Sequence, residues 1–171
     1  LQIQHGYGVE RVGQSALDPE EECFLTTPEY NRDAWDTAFG IGTVAEITSQ
    51  PAAKLLVRAP QLQSAEMFDL LAQVIEPEDA HLTYSMDEGL IELSHPGINK
   101  ASGASVLAAE YGIDPSQVVA FGDMPNDLEM LAWAGMGVAM ANAAPALLDA
   151  ADYVTASNEE DGVAQVLEHW F

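Results

Sequence analysis

The chain has 171 residues, 48% of them hydrophobic, with 28 acidic side chains against 5 basic ones and a formal net charge of -23. That length and apolar content suit one ordinary globular domain or two small ones, each with a core. The charge repels nucleic-acid phosphates and anionic membranes at long range, which excludes both as main partners.

The carboxylates are scattered, with Glu20, Glu21 and Glu22 as a short run, so the acidity reads as solubility or adaptation to a salty cytoplasm rather than as a binding tail. A single cysteine, Cys23, excludes an internal disulfide, and no apolar run is long enough to span a membrane. A cytoplasmic location is expected. Leu1 opens the chain without an initiator methionine or a basic, apolar signal segment, which suggests a piece of a longer protein.

Residues 1–50, rich in Gly, Glu, Asp and Thr, show poor periodicity, and only a short helix over residues 31–39 is expected there. Gly40-Ile41-Gly42-Thr43-Val44-Ala45 matches a dinucleotide fingerprint loosely. No convincing strand precedes it and Pro51 closes the space for its helix, so a loop or turn is expected. The apolar run at residues 53–58 predicts a strand. Over residues 62–75, Leu62, Ala65, Met67, Leu70, Leu71, Val74 and Ile75 fall mostly on one helical stripe, which Pro77 ends. Residues 81–86 and 90–93 predict strands joined by a hairpin at Asp87, Glu88 and Gly89. This first half is α+β and antiparallel in part. Pro96 and Gly97 break the last strand and divide residues 1–95 from 96–171.

Beyond that break the rhythm changes to helix 100–111, strand 118–121, helix 126–134, strand 137–140, helix 145–150, strand 153–155 and helix 161–170. Alternating strands and helices imply an α/β fold with a parallel sheet, whose ligand crevice lies beyond the carboxyl ends of the strands. No internal repeat or low-complexity linker is visible.

At one such strand end the sequence reads Val-Val-Ala-Phe-Gly-Asp-Met-Pro-Asn-Asp-Leu-Glu-Met over residues 118–130. Asp123 follows a strand and Gly122, so its carboxylate could reach a divalent cation such as magnesium, a hard ion that favours oxygen ligands. Asp123 could equally cap the next helix. Asn126 and Asp127 favour the first reading: two carboxylates four residues apart repel on one helix face, and capping does not require them. Lys100 follows Gly97-Ile98-Asn99 at a helix start, where its ammonium and free N–H groups could both face an anion. The alternative is a solvated surface lysine, although Lys54 is the only other lysine. His5, His81, His95 and His169 are too dispersed for a metal motif, and Cys23 has no nucleophile's partner. Met124, Met130, Met136, Met140 and Trp133 suit packing of helices on the sheet.

These residues resemble the haloacid dehalogenase superfamily of phosphohydrolases, and within it the Cof-type phosphatases of sugar phosphates and related metabolites. The resemblance runs from Gly97-Ile98-Asn99-Lys100 through residues 120–131 and Gly137-Val138-Ala139-Met140-Ala141-Asn142-Ala143. It continues to Ala151-Asp152-Tyr153-Val154-Thr155 and Glu160-Asp161-Gly162-Val163-Ala164, about the last seventy residues. It implies that residues 96–171 are the C-terminal half of a Rossmann-like, three-layer core and residues 1–95 part of an α+β cap. It further implies magnesium as cofactor, with Lys100 holding the transferring phosphoryl group, Asp123 ligating the metal and Asn126 contacting substrate phosphate. Asp127 would orient the lysine or the metal-bound water, as a catalytic and metal-site residue.

The chain departs from the family at the nucleophile. Such phosphatases attack with the first aspartate of an Asp-x-Asp pair and form an aspartyl-phosphate, and no Asp-x-Asp occurs here. The resemblance therefore implies a nucleophile outside this chain, negligible turnover by the chain alone, and an exposed sheet edge that invites homodimerisation. The expected partner is a small phosphorylated metabolite whose identity the cap selects. Two other readings stand beside the phosphatase: a non-catalytic module that binds or senses phosphometabolites, and a receiver-like acidic α/β domain, whose carboxylates should cluster after the first strand rather than late.

Overall fold

Side chains at residues 54–58 and 90–94 alternate between two sheet faces, and this alternation organises the first half of the protein. The structure, a computed structural model, describes residues 3–13, 18–30 and 40–169. The helix expected over residues 31–39 and the last residue of the helix expected over 161–170 lie outside those described. The chain divides into two compact units, Leu1–Pro96 and Gly97–Phe171.

In the first unit, strands β1 (Gly6–Glu10), β2 (Phe24–Thr26), β3 (Gly40–Ile41), β4 (Lys54–Arg58), β5 (His81–Thr83) and β6 (Leu90–Ser94) form one sheet in the order β3-β2-β1-β4-β6-β5. All neighbours are antiparallel except β2 and β3. Helices α1 (Glu20–Cys23) and α2 (Val44–Ile47) are single turns, and α3 (Ser64–Leu71) is longer. Val57, Ile91 and Leu93 pack on one face against Met67 of α3. The other face pairs Leu56 with Glu92, and there Lys54 meets Glu92 at 2.8 Å while Arg58 stacks over the Tyr30 ring at 5.8 Å.

Several expectations need adjustment here. The helix expected over 62–75 spans only Ser64–Leu71, with Ala72 as its C-cap, and the amides of Val74 and Ile75 share the Leu71 carbonyl in the turn that follows. The strand expected over 81–86 stops at Thr83. Its turn does use Gly89, which holds φ +66° where a Cβ would strike the Ala59 and Leu62 carbonyl oxygens. The loop expected at residues 40–45 contains a short edge strand and the start of α2, nucleated by a capping box in which Thr43 Oγ1 accepts from the Glu46 amide and Glu46 Oε2 from the Thr43 amide.

In the second unit, α4 (Lys100–Tyr111), β7 (Val119–Gly122), α5 (Leu128–Trp133), β8 (Met136–Ala139), α6 (Pro145–Ala150), β9 (Tyr153–Val154) and α7 (Gly162–Leu167) alternate as expected. The sheet runs β7-β8-β9, parallel throughout. Leu131 of α5 and Leu147 of α6 close a core over Ala120 and Ala139. The helix expected over 126–134 divides into a 3-10 turn at Pro125–Asp127 followed by α5. Because the strands are parallel, their carboxyl ends, and the loops after Gly122, Ala139 and Val154, share one edge.

Candidate functional site

Gly122 ends β7, and the next residues wrap around one buried carboxylate. Asp127 is 5% exposed, and its Oδ2 accepts from the amides of Asp123 at 3.1 Å and Met124 at 3.2 Å. Its Oδ1 accepts from Lys100 Nζ at the start of α4. A buried carboxylate without partners is costly, so this bridging fixes the turn and the lysine together. Pro125 assists, because a proline at the first position of the 3-10 turn needs no hydrogen-bond acceptor for its nitrogen. Lys100 follows the Asn99 N-cap, whose Oδ1 accepts from the Ser102 amide at 2.9 Å, and its side chain stays 47% exposed. The ammonium therefore reaches solvent while anchored on Asp127.

The Asp123 backbone is held on both sides, its amide by Asp127 and its carbonyl by the Ala144 amide at 2.8 Å. The half-buried carboxylate faces outward from the strand end. Its Oδ2 accepts from Asn158 Nδ2 at 2.8 Å, and its Oδ1 has no protein partner among the described residues. Between the two aspartates, Asn126 Oδ1 is buried without a partner, and the side-chain amide makes no hydrogen bond among the described residues.

Lys100, Asp123 and Asp127 thus meet at one edge of the second unit, with Asn126 in the same turn. Asp127, expected as a metal ligand, already engages both oxygens with the lysine and the loop. Asn142 and Asn158 were not singled out from the sequence. They sit just past β8 and β9, and the signal that could have found them is an amide side chain after each successive parallel strand. His5 bonds Ile3 and Tyr7, and His95 bonds the Pro96 carbonyl. Among the described residues no three His, Cys, Asp or Glu side chains converge on a metal position, and no helix is long and apolar enough to cross a membrane.

The donor set fits a hard divalent cation that takes one or two protein carboxylates and completes its shell with water and phosphate oxygens, the habit of magnesium. Asp123 offers a free oxygen for it. Two carboxylates against one ammonium leave the edge formally negative, so a phosphate ester binds well only when a cation offsets that charge.

Residues 26–167 match the sequence profile of the haloacid dehalogenase-like hydrolases. A 5-amino-6-(5-phospho-D-ribitylamino)uracil phosphatase of Bacillus subtilis, YitU, is 34% identical over 100% of this chain and 64% of its own length. A phosphatase of the same description from Escherichia coli, YbjI, is 43% identical over 53% of this chain and 33% of its own length. Among solved structures, the subclass IIB sugar phosphatase BT4131 superposes with TM-score 0.77 at 20% identity, covering 98% of this chain and 61% of that one. A haloacid dehalogenase-like hydrolase from B. subtilis superposes with TM-score 0.66 at 30% identity, over 78% of this chain and 48% of that one. The chain spans less than two thirds of the length of each of these relatives.

Proposed function

The chain belongs to the haloacid dehalogenase-like hydrolases, and from that premise we propose that it is the C-terminal part of a magnesium-dependent phosphatase of small phosphorylated metabolites. The observation that carries the reading is Asp127, a buried carboxylate that locks Lys100 beside the outward-facing Asp123 at a parallel-sheet edge. In this proposal Lys100 binds the phosphoryl oxygens, oriented by Asp127. Asn126 donates its unpartnered amide to the same phosphate. Asp123 holds the magnesium ion, which supplies charge neutralisation at the phosphoryl group when bound. Asp127 contributes to the metal site chiefly by fixing the loop that carries Asp123, since its own oxygens are engaged.

The displacing carboxylate, which would form an aspartyl-phosphate, is proposed to lie outside these 171 residues, because the sequence holds no Asp-x-Asp pair. Binding and charge neutralisation without a nucleophile leave the covalent step unassisted, so this chain alone is expected to turn over negligibly. The first unit is proposed as part of the cap that selects the substrate. The acidic composition and lone cysteine support a cytoplasmic protein.

The test uses the whole protein with an aryl phosphate. Hydrolysis should require magnesium, and Asp123→Ala and Lys100→Ala should each remove most of it; wild-type rates in both variants refute the assignment. Phosphate binding without hydrolysis would favour the non-catalytic module instead. A panel containing sugar phosphates and 5-amino-6-(5-phospho-D-ribitylamino)uracil, the compound named for the relatives, then identifies the substrate class.

A further inference from the structure

We propose that Asn158 and Asn142 form a two-residue positioning chain that aims the Asp123 carboxylate at its cation; this rests on the proposed role of Asp123. The three residues follow the three strands of the parallel sheet, one per strand end. Asn158 Nδ2 donates to Asp123 Oδ2 at 2.8 Å, and the Asn158 amide donates to Asn142 Oδ1 at 2.9 Å. Both side-chain orientations follow from their partners: a carboxylate only accepts, so the nitrogen of Asn158 faces it, and a backbone N–H only donates, so the oxygen of Asn142 faces that.

The turn that carries Asn158 is rigid without help from Asp123. Ser157 donates from both its amide and its hydroxyl to Glu160 Oε2, at 3.3 and 2.8 Å. The amides of Glu160 and Gly162 both return to the Ser157 carbonyl at 3.1 Å, and Thr155 Oγ1 bonds the Gly162 carbonyl at 2.8 Å. The backbone that carries Asn158 is therefore fixed, and the bond from its side chain ties the Asp123 carboxylate to that fixed turn. The Asp123 backbone is already clamped by Asp127 and Ala144, so its side-chain torsions are the remaining freedom, and the Asn158 bond removes it. That bond occupies Oδ2 and leaves Oδ1 to the cation. A charged ligand restrained through its second oxygen is the arrangement in which an outer partner tunes metal affinity.

Asn158 and Asn142 are positioning residues and touch neither substrate nor metal in this scheme. The experiment measures magnesium binding to the whole protein by isothermal titration calorimetry without substrate, together with kcat and KM for an aryl phosphate at saturating magnesium. Asn158→Ala should weaken magnesium binding about 10-fold while changing KM at saturating metal less than about twofold, with an unchanged melting temperature. Asn142→Ala should weaken it less. Because Asn142 acts through Asn158, the double variant should bind magnesium no worse than Asn158→Ala alone. Wild-type magnesium affinity in Asn158→Ala, or full additivity in the double variant, overturns the chain. Asp123→Ala is the control: if it loses magnesium binding while Asn158→Ala does not, only the positioning chain fails. If Asp123→Ala also binds magnesium normally, the metal-site reading fails and takes this one with it.

Discussion

Gly122 packs so closely on Asp127 that a Cβ at Gly122 would overlap the Asp127 side chain, standing 3.0 Å from its Cγ, and would lie 2.8 Å from Leu131 Cδ1. The missing side chain at the end of β7 is what lets the carboxylate tuck beneath its own loop. Gly122→Ala should displace Asp127 and Leu131 together, at a cost of about 1–3 kcal/mol, the usual range for overpacking a filled site. Urea unfolding of the whole protein checks the stability, and aryl phosphatase activity should fall at least 10-fold. An unchanged denaturation midpoint with full activity would show that the loop can relax around a methyl group.

Asp127→Asn offers a sharper test of the same carboxylate. All three of its partners are donors: the Lys100 ammonium and the amides of Asp123 and Met124. An asparagine supplies one acceptor oxygen, so its NH2 group must face either the ammonium or the two amides, donor against donor. The expected destabilisation is about 2 kcal/mol, moderated by the exposure of Lys100. Activity should drop by roughly two orders of magnitude, the effect of losing one oriented charge-stabilising group. Thermal melting and steady-state kinetics separate the two contributions.

The second unit was legible because its signals are local. Asn99 caps α4 and Pro145 occupies the first turn of α6, so the expected bounds of both helices, 100–111 and 145–150, coincide with those observed. Asp123, Asp127 and Lys100 stood out because each lies at a strand end or helix start. The first fifty residues were opaque for the opposite reason. Gly6 and Gly8 remove two side chains from β1, which hides its alternation, and its partner β4 is distant in sequence. The link that joins Asn158 and Asn142 to Asp123 is not local either, since Asp123 and Asn158 are 35 residues apart and Asn142 and Asn158 are 16 apart. Only the parallel sheet brings them together.

Tyr30 should govern alkaline stability in the first unit. Burial pushes its phenol up to about 12 from 10.0, against the Arg58 guanidinium that lowers it, with Glu10 and Glu92 adding to the rise. The folded state therefore keeps a proton that the unfolded chain releases first. Stability is fully present below pH 10 and declines as pH rises from 10 towards 12, by roughly 3 kcal/mol in all. The Tyr30 hydroxyl is buried without a hydrogen-bond partner among the described residues, so Tyr30→Phe should be neutral or slightly stabilising at pH 7. It should also flatten the alkaline loss. Denaturant midpoints at a series of alkaline pH values, with tyrosinate absorbance recorded in parallel, read both effects.

The Ser157–Glu160 turn makes an acid-side prediction at the other end of the chain. Hydrogen bonds from the Ser157 hydroxyl and then its amide hold the Glu160 carboxyl below its ordinary value of 4.5, outweighing a small opposing desolvation. A depressed folded pKa contributes stability that is present above the unfolded value and lost as pH falls through the folded one, so the window lies below pH 4.5. Glu160→Ala removes the group, and its melting temperature should fall less steeply than the wild type's between about pH 5 and about pH 3, although it starts lower. Glu160→Gln keeps a neutral acceptor for Ser157 and should start closer to wild type with the same shallow slope. Parallel slopes in all three proteins would mean that the turn presenting Asn158 holds its shape without the ionised carboxylate.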